Sequence, residues 1–295
     1  MEPFTKFGWR GIEITVPASW ELAAHHGSQK AGYACLDDGR DMRLQVRWSR
    51  SKGDLADLEG VLRRYQRSLT KACKGNLKFD LESAAPLAIR GRAERVAVSF
   101  FWQSDREAYG MAWHCRVCGR VVIVEILFPV GESDRSLARR IMGSLADHRD
   151  DGRVLWSLYD FSFSVPSTYS LDHPDLVPGR LRFAFKSARR AWLRIERWAI
   201  ASQWMDKVTL EAWPAELLKL MRISNRGPLV QTETQIRQHR AVRFAVPVSG
   251  GGFLRRERVT GLVWHALEED KAFVVMEAGG ADGLTQEVAD TVRSS

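Results

Sequence analysis

Cysteine is scarce in this chain: there are four (Cys35, Cys73, Cys115, Cys118) in 295 residues. So few cannot staple a protein of this size into a disulfide scaffold, and a reducing compartment fits them. Long apolar runs are missing too. The longest, VVIVEILFPV at 121–130, is interrupted by Glu125 and is too short to span a bilayer, so no membrane insertion is expected. The opening residues, MEPFTKFGWRG, lack the basic-then-apolar pattern of a secretory leader, which makes cytoplasmic residence the expectation. Lysine is thin as well, at 10 of the 44 cations. The chain has no GxxxxGK[ST], no GxGxxG opening a helix, no HExxH and no GxSxG. Its acids do not gather in the pattern of a carboxylate metal site, and a β-turn accounts for the DDGRD loop at 37–41. No residue constellation supports an enzyme.

The chain has the composition of a globular protein, 45% hydrophobic and 27% charged, with a net charge of +8. The positive excess is distributed rather than held in a tail, which favours anionic partners in general and singles out none.

An internal repeat organises the sequence. GIEITVPASWEL (11–22) is answered by DFSFSVPSTYSL (160–171), and AGYACL (31–36) by PGRLRFAF (178–185). Strands ending in Arg47-Trp48 and Arg197-Trp198 follow. GRAERVAV (91–98) then lies against HRAVRFAV (239–246), and GMAWHC (110–115) against GLVWHA (261–266). Each half closes on a helix-period segment, Leu137, Ile141 and Leu145 matching Leu284, Val288 and Val292. Two homologous domains, 1–150 and 151–295, are therefore expected, joined near HRDDGR. Aligning the Arg-Trp pairs puts Leu193 and Ile195 out of phase with Leu44 and Val46, so a bulge or shifted register is expected there.

In the first domain the alternation predicts strands near 9–16, 19–24, 31–37 and 41–50. A helix over 54–74 places Leu55, Leu58, Val61, Leu62, Tyr65, Leu69 and Ala72 on one face. Strands near 78–84, 92–103, 107–116 and 119–128 and a helix near 133–147 complete it. In the second domain the first helix contains Pro214, so it starts late or is kinked, and Gly250-Gly251-Gly252 and Gly279-Gly280 mark flexible turns. The fold class this predicts is α+β, with each domain a largely antiparallel sheet flanked by helices in the order four strands, helix, four strands, helix.

That order resembles the Mog1/PsbP-like fold. So does the entry of an alternating strand into Val-Pro-x-x-aromatic-x-Leu, at Val16-Pro17, Trp20 and Leu22 and again at Val165-Pro166, Tyr169 and Leu171. The resemblance implies tandem α+β domains and a non-enzymatic binding or assembly role. It supplies no catalytic residue.

Cys115 and Cys118 sit in CRVCG, at the turn between two predicted strands. Two thiolates at this spacing can be half of a zinc knuckle, the only cofactor the sequence suggests. No second CxxC exists, so the remaining ligands would come from Cys35, Cys73, His114, His25 or His26, or from the same turn in a second chain. His114 should face away from Cys115, because successive strand residues point to opposite sides. A redox pair and an inert turn remain open alternatives. The second repeat has WHALEEDK at this place, so the fold itself should not need the cysteines. Trp113-His114 and Trp264-His265 recur in both halves and are expected to serve packing.

Basic surfaces are the stronger functional lead. Arg180, Arg182, Lys186, Arg189, Arg190, Arg194 and Arg197 crowd 180–197 against the single acid Glu196. Leu181, Phe183 and Phe185 alternate with them and should turn inward. In the first domain Arg43 and Arg47 lie on the corresponding strand, and Arg63, Arg64, Arg67 and Lys71 on the helix. The leading expectation is a non-enzymatic binding protein (an adaptor, chaperone or assembly factor) that meets a protein partner through these basic faces and the inter-domain cleft. The alternatives are nucleic-acid binding through the arginines at 180–197 and a zinc-containing interaction module built on the CxxC turn. Nothing in the sequence specifies an oligomeric state.

Overall fold

A computed structural model describes residues 2–51, 57–82, 95–188, 191–249 and 256–294. The chain divides into two compact units, Met1–Asp160 and Phe161–Ser295.

The first unit opens with two strands, β1 (Phe4–Trp9) and β2 (Ile12–Pro17), paired antiparallel with Trp9 opposite Ile12. The single strand expected over 9–16 is broken at Arg10-Gly11, where φ is 51° and 84°. Two successive left-handed residues are what a tight hairpin turn demands. Next come β3 (Glu21–Gly27), β4 (Gly32–Asp37), β5 (Met42–Arg50), α1 (Leu58–Ala72), β6 (Lys78–Glu82) and β7 (Arg95–Gln103). After these follow β8 (Arg106–Cys115), β9 (Arg120–Pro129), α2 (Arg135–Gly143) and β10 (Arg153–Leu158). β10 pairs with β1, while β3 to β9 form one antiparallel sheet in the order β3-β4-β5-β9-β8-β7-β6.

Alternation decides what each face of this sheet buries. On one face Leu62 and Tyr65 of α1 cover Phe100, Trp102, Ala108, Ala112 and Leu127. On the other, Leu44, Val46 and Trp48 of β5 line up with Met111, Trp113 and Cys115 of β8, all buried. Both helices are capped as their sequences require: Asp57 accepts from Gly60 N at 2.8 Å, and Asp134 from Leu137 N at 2.9 Å.

The second unit contains β11 (Phe161–Pro166), β12 (Tyr169–Val177), β13 (Arg180–Ser187), β14 (Trp192–Ala199), α3 (Ser202–Met205), α4 (Trp213–Leu220) and β15 (Val230–Ile236). It continues with β16 (His239–Ser249), β17 (Arg256–Ala266), a 3-10 turn (Leu267–Glu269), β18 (Lys271–Ala278), α5 (Leu284–Ala289) and β19 (Arg293–Ser294), which pairs with β11. Its seven-stranded sheet runs β12-β13-β14-β18-β17-β16-β15, the same order as the first. Pro214 does not kink a helix. The segment splits instead, and Pro214 stands in the first turn of α4, where its missing N–H costs nothing.

The α+β expectation is corrected: the chain is mainly β. Its described helices have 15, 9, 4, 8 and 6 residues, and the two seven-stranded antiparallel sheets dominate both units. Five strands, not four, precede the first helix of the first unit, because its entry motif is the second arm of a hairpin rather than a lone strand; four precede the first helix of the second. This architecture also overturns the Mog1/PsbP-like resemblance, which rested on the element order and the Val-Pro entry and implied α+β domains. The helical periods are real, but they cover only short stretches of chain.

Register corrects one more expectation. Trp48 and Trp113 both pair with Val122, whereas Arg197 and Trp264 both pair with Phe273. Arg197 is therefore the counterpart of Trp48, and Leu193 and Ile195 fall in phase with Leu44 and Val46. The Arg-Trp dipeptides are not equivalent, and the slip expected between them disappears. The triple glycine at 250–252 lies outside the described residues.

Candidate metal centre and binding surfaces

β8 and β9 are joined by the turn Arg116–Gly119, where Gly119 has φ 66° and its N–H donates to Cys115 O at 2.9 Å. The turn sets both cysteines at the hairpin tip. Cys115 shares the parity of Trp113 and is buried. The other wall of the site comes from the chain leaving α2. Ala146 exchanges two backbone hydrogen bonds with Glu13 of β2, each 2.8 Å, which fixes the direction of the next two residues. These are Asp147 and His148, and both point at the cysteines.

Among the described residues one group of His, Cys, Asp and Glu side chains could hold a metal ion: Cys115, Cys118, Asp147 and His148, with all four ligand atoms within 4.8 Å of one another. Cys115 Sγ lies 3.7 Å from His148 Nδ1, Cys118 Sγ 3.4 Å from Asp147 Oδ2, and His148 Nδ1 3.1 Å from Asp147 Oδ1. Trp113 Nε1 stands 3.5 Å from Asp147 Oδ2. The Arg120 amide donates to the Cys118 sulfur. The buried Arg120 guanidinium donates to Asp147 O at 3.1 Å, Arg10 O at 3.2 Å and Gln29 O at 3.0 Å. His148 Nε2 is buried without a hydrogen-bond partner among the described residues.

Burial, and after it the charge of Asp147, pushes the Cys118 thiol up to about 12. A thiol held neutral in this way is a poor nucleophile and a poor redox partner. Both cysteines are free thiols.

None of the other proposed ligands joins the cluster. Cys35 is buried in β4 opposite Gln45, and Cys73 caps the end of α1. His25 packs its ring 4.6 Å from that of Trp9, and the neighbouring His26 lies 6.1 Å from Tyr33. His114 points to the opposite face, as alternation requires. Neither Asp147 nor His148 stands out in the sequence, because they straddle the end of the helix expected near 133–147 and the start of the HRDDGR linker. The available signal was the adjacency of a carboxylate and an imidazole directly after the last helix of the one repeat that carries CxxC.

The cations of β13 and β14 meet acids of their own sheet. Arg180 and Arg182 hold Asp175 at 2.8 and 2.7 Å, Lys186 holds Asp172 at 2.9 Å, and Arg194 bonds Glu196. Arg180 also lies over the Trp198 ring, 5.2 Å from its centroid. Arg197 is not on this face: it is buried on the side of Leu193 and Ile195. Arg189 and Arg190 lie outside the described residues. In the first unit Arg43 pairs with Asp38 at 2.7 Å, and Arg47 lies over the Tyr65 ring at 5.5 Å. Asp38 is held down at about 2, because hydrogen bonds from Asp41, Arg43 and Arg40 outweigh the opposing effect of burial.

The second unit also has an open cavity of about 650 Å³, bordered by Glu211, His239, Arg240, His265 and Glu268. Arg240 spans to Glu211 at 2.7 Å, and burial lowers the His265 imidazole.

No family model matches the chain, and no curated protein matches it. Several solved structures align over nearly its whole length. The apo immunity protein TplEi of the T6SS of Pseudomonas aeruginosa matches at 10% identity and TM-score 0.34, covering 99% of this chain and 97% of that one. The Tle4–Tli4 complex matches at 10% identity and TM-score 0.38, covering 99% and 97%. TplEi complexed with an "L" peptide matches at 11% identity and TM-score 0.34, covering 99% and 98%. Likeness this distant carries neither family membership nor function. Among the described residues no helix is long and apolar enough to cross a membrane.

Proposed function

We propose that the chain acts by binding another protein and performs no chemistry of its own, with the β12–β14 face of the second unit as its contact surface. The observation that carries this reading is the pairing of the cations on that face. Arg180, Arg182, Lys186 and Arg194 each lie against a carboxylate of the same sheet. Glu196 is fully buried, so the alternating charge that reaches solvent is that of Arg180, Arg182 and Lys186 with Asp175 and Asp172. Such a pattern suits a protein of complementary charge better than a phosphate backbone that needs unneutralised cations. Phe183 and Phe185 are buried and offer bases no platform to stack on. Among the described residues one thiol–imidazole cluster is present, and its Cys115 is buried, which disfavours nucleophilic catalysis by that thiol.

The test is affinity capture from the native host after cross-linking. One protein should be recovered in stoichiometric amount, and replacing Arg180 and Arg182 by Glu should weaken its retention by about tenfold or more. An assay on that partner then separates an adaptor, chaperone or assembly factor from an inhibitory, immunity-type role. Binding of RNA or single-stranded DNA with a steep salt dependence would contradict the reading.

A further inference from the structure

We propose that Cys115, Cys118, Asp147 and His148 hold one Zn²⁺ ion in a closed tetrahedral site that pins the tip of the β8–β9 hairpin to the segment after α2. The proposal is independent of the protein-binding reading and would survive its failure.

Distances come first. Tetrahedral zinc with bonds of about 2.3 Å to sulfur and about 2.0 Å to nitrogen or oxygen separates sulfur from either by about 3.5 Å, and nitrogen from oxygen by about 3.3 Å. The cluster shows 3.7 Å from Cys115 sulfur to His148 nitrogen, 3.4 Å from Cys118 sulfur to Asp147 Oδ2 and 3.1 Å from His148 nitrogen to the other carboxylate oxygen, Oδ1. One ligand atom from each of the four residues lies within 4.8 Å of the others, so a small turn of the carboxylate brings all four around one ion. Two thiolates, an imidazole and a carboxylate also form a donor set that selects zinc over hard cations such as magnesium or calcium.

Charge is the second argument. Two thiolates and one carboxylate, with Cys115 and Asp147 buried and Cys118 half-buried, are balanced by the ion's double charge and the adjacent Arg120 guanidinium, leaving no net charge at the site. Arg120 meets three backbone carbonyl oxygens and holds the Asp147 main chain in place. The Arg120 amide on the Cys118 sulfur and the Trp113 indole beside Asp147 Oδ2 are outer contacts that orient metal ligands.

The second unit supplies the third, through its own way of closing the same seam. Ser144 Oγ accepts from Thr15 N at 2.8 Å, and Thr291 Oγ1 from Ser164 N at 2.9 Å, which makes Ser144 and Thr291 counterparts. Counting on three residues sets Ser294 at the place of Asp147. The pairings Trp113–Val122 and Trp264–Phe273 likewise set Lys271 at the place of Arg120, and Ala266 and Glu269 at the places of Cys115 and Cys118. In that unit Lys271 Nζ bridges Ser294 Oγ at 2.7 Å and Glu269 at 3.8 Å. One repeat closes the junction with a lysine; the other has four metal ligands there. With all four positions filled by protein, no open position remains for a substrate, so the ion is structural.

Protein purified without chelator should contain about one zinc per chain, retained by Cys73→Ser and lost by Cys115→Ser/Cys118→Ser. Substitution by Co²⁺ should give the intense visible bands of a tetrahedral thiolate site. Should the double variant fail to fold, thiol titration of the native wild type decides. Cys115 and Cys118 should resist the reagent until a chelator is added, and then react at least about tenfold faster. Less than about half a zinc per chain after equilibration with the metal would overturn the proposal. So would thiol reactivity unchanged by chelator, or a dimer sharing one ion through four cysteines.

Discussion

Gly110 lies opposite Phe100 on β7, and a methyl group built at its Cα would sit 2.2 to 2.8 Å from three atoms of the Phe100 ring. The ring cannot easily withdraw. Phe79 stacks on it at 5.2 Å, Tyr65 closes from α1 at 5.9 Å, and the side chain is buried. Gly110→Ala therefore forces an overpacked core, at a cost of about 1–3 kcal/mol. The loss of chain entropy in the unfolded state returns only about 0.4–1 kcal/mol. The net expectation is a destabilisation of about 1–2 kcal/mol, read as a lower urea midpoint with unchanged slope in the transition of the first unit. Phe100→Leu, added to Gly110→Ala, should recover part of the loss, because it removes the ring that clashes. Gly261, whose added methyl would meet the Phe244 ring at 2.2 Å, should respond alike in the second unit. A Gly110→Ala protein as stable as the wild type would refute both the register and the packing argued from it.

Glu125 is buried beneath α1, with Trp102 Nε1 donating to it at 2.6 Å, and burial raises its carboxyl above the ordinary carboxylate range. The folded state then binds the proton more tightly than the unfolded chain, so this group's contribution is present at low pH and is lost as pH rises through the folded value. Glu125→Gln keeps an acceptor for the indole and removes that loss. The variant's stability advantage should grow between about pH 4 and neutrality in chemical denaturation; an advantage that shrinks over this range would refute the assignment. Lys271→Met removes the bridge to Ser294 and should cost about 1 kcal/mol, with faster hydrogen exchange in β19 as the local sign.

Much of the architecture was legible because strand alternation is a local signal. The runs 31–37, 41–50, 107–116 and 119–128 coincide with β4, β5, β8 and β9 to within a residue or so. The misreadings have local causes of another kind. Arg10 is an ordinary strand residue by type, and only its positive φ, together with that of Gly11, reveals a turn. The Arg-Trp dipeptides look homologous as text, yet pairing with Val122 and Phe273 sets Trp48 against Arg197. The apolar periods of the helices are present but short, so they suggested thicker helical layers than the sheets carry. Half of the proposed metal site could be read from CxxC. The other half, Asp147 and His148, is brought to it by the Glu13–Ala146 bridge, a contact across 133 residues of chain that no local pattern announces. The arginines at 180–197 were legible as cations, but their partners Asp172 and Asp175 stand on the neighbouring strand and changed their meaning.

A closed structural site at the thiol–carboxylate–imidazole cluster has a distinctive first coordination shell. X-ray absorption at the zinc edge, recorded on protein purified without chelator, reads the first coordination shell directly. Two sulfur atoms at about 2.3 Å and two nitrogen or oxygen atoms at about 2.0 Å are predicted, with no further ligand. A shell of oxygen and nitrogen alone, of four sulfurs, or with an added water oxygen would contradict it.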